Sequence, residues 1–136
     1  MMIELSRVLL QDLLRQGRAR YPAGACGVLL GVPGDPAVVE ASRPGRPADP
    51  ACAGPSAGDI EAAAAEAASR GLAVVGTWHA HPDSPAEPSA ADVAAARPGF
   101  PLLIVTVRGG QAAEWACWIA GGKPGLEPVI VRLTAP

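Results

Sequence analysis

The chain has 136 residues, of which 49% are apolar and 18% charged, with a formal net charge of −2. That is enough for one domain, residues 1–136, with a real core, and the absence of a long basic run argues against nucleic acid as a partner. The longest apolar runs are too short to cross a membrane, and residues 1–7 carry charge early without the design of a signal peptide, so the expected compartment is the cytoplasm. Cys26, Cys52 and Cys117 are odd in number and form no C-x-x-C, so they read as reduced, mostly buried thiols rather than a disulfide framework. They also argue against a zinc deaminase, which needs a paired-cysteine ligand motif.

Residues 3–5 predict a short strand. Ser6 then caps a helix running to about Arg20, with Leu9, Leu10, Leu13 and Leu14 as its buried stripe and Pro22 as its stop. Arg7, Arg15, Arg18 and Arg20 read as a solvated helix face rather than a phosphate track. Tyr21-Pro22 turns the chain into a strand at 25–31, where Cys26 reads as a core residue. A second strand at 37–41 follows the turn Pro33-Gly34-Asp35-Pro36. Residues 43–55, rich in Pro and Gly, read as a loop. A second helix starts at the Ser56 cap and ends at Gly71, a good residue for a left-handed stop. The strand at 72–79 is ended by Pro82; Pro85 and Pro88 stiffen the next loop, and Ser89 opens a third helix over about 90–96. Strands at 101–107, 112–119 and 128–133 complete the chain, with Trp78, Trp115 and Trp118 read as packing residues. Helices interleaved with strands predict a mixed α/β layered fold.

The chemistry concentrates in His79-Ala80-His81-Pro82 and Ser89-Ala90-Ala91-Asp92, which use both histidines of the chain. Alternate strand residues share a face, so both imidazoles can reach one metal ion. Asp92 offers a third ligand and leaves a fourth tetrahedral position for water, the pattern of a hydrolytic zinc centre. H-x-H alone is a weak signal, and Ser-x-x-Asp is also a helix capping box, as Ser56 to Asp59 shows. The weight lies in the combination: H-x-H, seven residues, then S-x-x-D, entered by a strand.

Gly76-Thr77-Trp78-His79-Ala80-His81-Pro82 with Pro88-Ser89-Ala90-Ala91-Asp92 resembles the JAMM motif of MPN+ zinc metallopeptidases, and residues 18–31 are similar to the segment that opens that family's core. The resemblance covers most of the chain, in the manner of a small prokaryotic member. It implies an α/β fold with a mixed, curved sheet flanked by helices, layered like a cytidine deaminase, and Zn2+ held by His79, His81 and Asp92. It also implies hydrolysis of peptide or isopeptide bonds at the tail of a ubiquitin-like or sulfur-carrier protein, with Ser89 steadying the oxyanion. The residue two before the cysteine of the opening segment is, in the family, a glutamate that serves as general base and then acid; here it is Gly24. General acid–base assistance is worth on the order of 10²–10⁴-fold, so a copy without it is expected to be crippled. Glu40 is the nearest substitute in sequence. A hairpin would set it opposite about residue 28, roughly 13 Å along the strand from Gly24, so it reads as a solvated strand residue. Glu4 reads as a surface charge, and Glu87 matches nothing catalytic in the family. The competing reading is a non-catalytic MPN-like module that binds zinc and recognises a ubiquitin-like protein or a partner subunit. A hydrolase acting on a small amino-acid adduct stands third.

Overall fold

The structure, a computed structural model, describes residues 1–49, 52–122 and 124–135, with the side chains of residues 47–49, 52 and 53 outside that description. The expected burial of the Cys52 thiol therefore falls outside the described residues. In chain order the elements are β1 (Met2–Ser6), α1 (Arg7–Arg20), β2 (Cys26–Val32), β3 (Ala37–Gly45), β4 (Pro47–Asp49), β5 (Cys52–Pro55), α2 (Ala57–Ser69), β6 (Ala73–Pro82), α3 (Ala90–Ala95), β7 (Leu102–Arg108), β8 (Gln111–Ile119) and β9 (Glu127–Thr134). Seven strands form one mixed sheet in the order β1-β3-β2-β6-β7-β8-β9. It curves until β9 pairs with β1 and closes a barrel. Among the described residues, no helix is long and apolar enough to cross a membrane.

Each helix starts where a side chain can satisfy an orphan N–H. Ser6 Oγ accepts from Leu9 N, Ser56 Oγ from Asp59 N and Ser89 Oγ from Asp92 N. Leu10 and Leu13 of α1 are buried with Ile3, Leu5, Trp78 and Leu103 in the main core, while Leu9 and Leu14 pack half-buried against it. Gly17 extends this stripe by one turn. A Cβ there would stand 3.2 Å from Val107 and 3.5 Å from Ala80, so glycine lets α1 lie close on the sheet. On the other face, Ala63 and Ala67 of α2 pack on Val28 and Leu30. The four arginines expected on the solvated face of α1 are all exposed.

The expected loop at 43–55 is instead ordered. β3 runs on to Gly45, pairing residues 42–45 with residues 26–29 of β2, and β4 and β5 form a two-stranded ribbon. β1 pairs with β3 only at Ala37 and Val38, so the far half of β3, which includes Pro44, is an edge, the place where a strand tolerates proline. The ladder comes from a tertiary partner, which local Pro and Gly content does not reveal. The β2–β3 register also shifts by one. Leu30 pairs with Ala41 and Gly31 with Val39, leaving Glu40 as the extra, exposed residue of a β-bulge. Glu40 therefore stands beside Leu30 and Gly31, farther from Gly24 than a regular hairpin would put it.

Candidate metal centre

β6 is a central strand, antiparallel to β2 and parallel to β7. Its alternation divides the molecule: Trp78 and Ala80 enter the main core, and His79 and His81 face the opposite side. The chain then passes through a loop and α3 before returning as β7, so the crossover helix brings Asp92 over the two imidazoles. All three side chains are buried, His79 to 1% exposure, His81 to 9% and Asp92 to 4%.

Their ligand atoms converge. His79 Nε2 lies 3.1 Å from His81 Nε2 and 3.1 Å from Asp92 Oδ1, and His81 Nε2 lies 3.0 Å from Asp92 Oδ2. Two imidazole nitrogens and a carboxylate turned to one point suit a divalent ion with N and O donors. Donors about 2.0–2.1 Å from such an ion stand roughly 3.3–3.4 Å apart in a tetrahedron, so the observed spacing needs to open by only a few tenths of an ångström. His81 Nδ1 meets the Pro85 carbonyl at 2.8 Å, which holds a proton on Nδ1 and leaves Nε2 facing the other two groups, able to donate to Asp92 when protonated and to turn a lone pair to a metal when not. His79 Nδ1 is buried with no hydrogen-bond partner among the described residues. Such an orphan costs about 1–3 kcal/mol, which a bond from its Nε2 to a metal can offset.

The electrostatics follow from burial and partnering. Burial by itself would raise the Asp92 carboxyl, but hydrogen bonds from His79 and His81, the His79 charge and the Ser89 N–H outweigh it and hold Asp92 well below the usual carboxylate range. Burial by itself would lower His81, but the Asp92 hydrogen bond, the Pro85 carbonyl and the Asp92 charge together raise it. Ser89 and Asp92 also form a complete capping box: Ser89 Oγ accepts from Asp92 N at 3.1 Å and Ser89 N donates to Asp92 Oδ2 at 2.9 Å. One carboxylate thus both starts α3 and faces the histidines.

The loop into α3 is tied down residue by residue. Asp83 N donates to Val107 O, and Asp83 Oδ1 accepts from Gly109 N at 2.8 Å. Thr106 Oγ1 donates to Ser84 O at 2.8 Å, His81 holds Pro85 O, and Trp118 Nε1 donates to Ala86 O at 3.0 Å. Two of these roles were not visible in the sequence. Tyr21, read as a turn residue, donates its hydroxyl to Asp83 Oδ2 at 2.7 Å. Trp118, read as packing, holds the loop and lines a pocket of about 170 Å³ beside His79 and Asp92. Trp118 stands on β8, one strand beyond β7, and Tyr21 in the turn after α1, so the available signal is only that each is a polar-tipped aromatic.

Gly24 lies just ahead of β2. The β2–β6 ladder pairs Cys26 with His79, and Ala80 N donates to Ala25 O at 2.8 Å. One more step sets residue 24 opposite His81, on the face of both histidines. Among the described residues lining the pocket, Asp92 is the one carboxylate. Glu40 and Glu87 are exposed, and Glu4 is engaged with Arg132. Cys26 is buried in the strand, and burial, with the Asp59 charge, pushes its thiol up to about 11 against the pull of Arg20, which suits a core residue and not a nucleophile.

Residues 6–121 match the family described as prokaryotic homologs of the JAB domain. A solution structure of a protein from Desulfitobacterium hafniense superposes with a TM-score of 0.83 at 27% identity, over 99% of this chain and 94% of that one. A solution structure of a protein from Salinibacter ruber has a TM-score of 0.74 at 32% identity, over 95% and 90%. A JAB1/MPN domain protein from Archaeoglobus fulgidus shares the fold at 20% identity, with a TM-score of 0.64 over 97% and 96%. So does the structure described as JAMM, a metalloprotease-like zinc site in the proteasome and signalosome, with a TM-score of 0.60 at 20% identity over 98% and 99%. No curated protein matches the chain.

Proposed function

The chain belongs to the prokaryotic JAB family, and on that premise we propose that it is a zinc metallopeptidase domain acting on peptide or isopeptide bonds at the tail of a ubiquitin-like or sulfur-carrier protein. The observation that carries this is the convergence of His79, His81 and Asp92, buried, with their ligand atoms within 4.8 Å of one another. These three residues would hold the zinc, which supplies Lewis acidity and makes water more acidic when bound. Asp92, held ionised, balances the positive charge. His81, locked by Pro85, keeps Nε2 free as a donor. Ser89 heads α3 beside Asp92, and its hydroxyl hydrogen is free to donate to a developing oxyanion because Oγ is the acceptor in the cap.

The proton-transfer group is the weak point. Gly24 brings no carboxylate to the face that residue 24 shares with the histidines, and no described carboxylate other than Asp92 lines the pocket. This favours a second reading, a zinc-binding module that recognises a ubiquitin-like tail or partner without cleaving it. The experiment compares the zinc-loaded parent, Gly24→Glu and Gly24→Gln on a ubiquitin-like tail joined to an amine. The enzyme reading expects slow, chelator-sensitive hydrolysis by the parent and a gain on the order of 10²-fold for Glu alone. Equal rates for Glu and Gln would sink the missing-base account. Tail binding without cleavage by any of the three would establish the second reading.

A further inference from the structure

The pocket beside His79 and Asp92 is walled by Ile60, Val74, Leu102, Trp118, Ile119 and Leu126, and at about 170 Å³ it is the size of one large apolar side chain. A cavity of about 150 Å³ with similar walls accommodates benzene. Its lining holds one charged side chain besides the two facing the metal position, Arg97, in the turn between α3 and β7. Arg97 is exposed and, like Arg7, Arg18 and Arg20, has no ion pair among the described residues; unlike those three it lines the pocket.

The pocket is built rather than incidental. Trp118 is fixed by its bond to Ala86 O, and Leu102 packs with Ala86 in the small core under the loop. Its apolar walls do not stabilise a charged group, and Arg97 adds to the lining a cation that has no ion pair among the described residues. The occupant that fits both is a large apolar side chain with an anionic group close to its Cα.

We propose that this pocket selects the substrate residue next to the scissile bond: a large apolar residue, leucine to phenylalanine in size, whose own carboxylate pairs with Arg97. This deepens the proposed hydrolase reading and rests on it, because it makes the leaving amine a C-terminal apolar amino acid.

Binding tests this without requiring turnover. Calorimetric titration of the zinc-loaded protein compares N-acetyl-L-phenylalanine, N-acetylglycine and N-acetyl-L-phenylalaninamide. Burying the ring predicts binding on the order of 30-fold tighter for the phenylalanine acid than for the glycine acid. The neutral amide should be about fivefold weaker than the acid, and Arg97→Gln should abolish that difference while preserving the preference for a ring. Ala96→Phe, which fills the pocket from the half-buried end of α3, should remove the ring preference. Equal affinity for the phenylalanine and glycine acids overturns the pocket assignment. An acid preference unchanged in Arg97→Gln places the carboxylate on the metal and overturns the Arg97 role. Predicted binding with no hydrolysis of any peptide would overturn the enzyme reading alone, and hydrolysis without the binding preference would overturn this inference alone.

Discussion

Tyr21 donates its hydroxyl to Asp83, joining the turn that leads to Gly24 with the first residue of the loop that leads to Asp92. The bond raises the Tyr21 phenol and lowers the Asp83 carboxyl, each mainly through the other. Asp83 adopts φ 56°, a conformation Asp tolerates better than most residues, and it also accepts from Gly109 N. Asp83→Ala should therefore disturb the loop more than Tyr21→Phe, which removes one bond and leaves the backbone at ease. Hydrogen exchange across residues 83–86 is the measurement: faster exchange in both variants, larger for Asp83→Ala, with the sheet core unchanged.

Zinc content should be about one ion per chain after mild dialysis, and His81→Ala should lose it while remaining folded. Asp92→Ala should lose the metal and also about 0.5–2 kcal/mol of stability with the helix cap. Elemental analysis beside a urea melt separates the two roles. A variant that keeps its zinc and merely melts earlier would make Asp92 a cap and nothing more.

Above about pH 6.5 the pH dependences of metal binding and of metal-free stability should run in opposite directions. Zinc needs His81 deprotonated, so affinity should fall as pH drops through the raised His81 titration. In metal-free protein, that raised value contributes stability present below the unfolded histidine pKa of about 6.5 and lost as pH climbs through the folded value. Asp92, lowered, contributes stability present above its unfolded value of about 3.9 and lost as pH falls below it. Metal-free stability should thus peak between about pH 4 and 6.5. Melts of chelator-treated protein from acid to mild alkali check this.

Gly27 pairs with Trp78, and a Cβ there would meet the indole Nε1 and come within 2.7 Å of the Arg43 carbonyl. Gly27→Ala should cost about 1–3 kcal/mol by overpacking. Gly58→Ala is the control: it lies in α2 with no atom nearer than Ser56 Oγ at 3.9 Å, and should gain about 0.4–1 kcal/mol. Urea denaturation of the pair reads both signs.

What the sequence made legible was what local chemistry controls. Ser6, Ser56 and Ser89 announced their helices, Gly71 at φ +69° ended one, and strict alternation through His79 and His81 placed both rings on one face. What it hid depends on distant partners. Residues 42–45 are strand because β2 lies beside them, and the bulge at Glu40 follows from pairing rather than from any local turn signal. Gly17 is buried because Val107, 90 positions later, leaves no room for more. The same holds at the site, where Tyr21 and Trp118 reach the loop only because β2, β6, β7 and β8 lie side by side.

The division of labour along β6 separates what can change in this protein from what cannot. His79 and His81 alternate with Trp78 and Ala80, so a single inserted or deleted residue upstream would bury the imidazoles in oil and push the indole outside. The face that His79 and His81 share is therefore as fixed as the core itself. Residue 24, a glycine, precedes the first strand pairing of β2, which begins at Cys26. A substitution at residue 24 is therefore expected to leave that alternation, and the face His79 and His81 share, as they are.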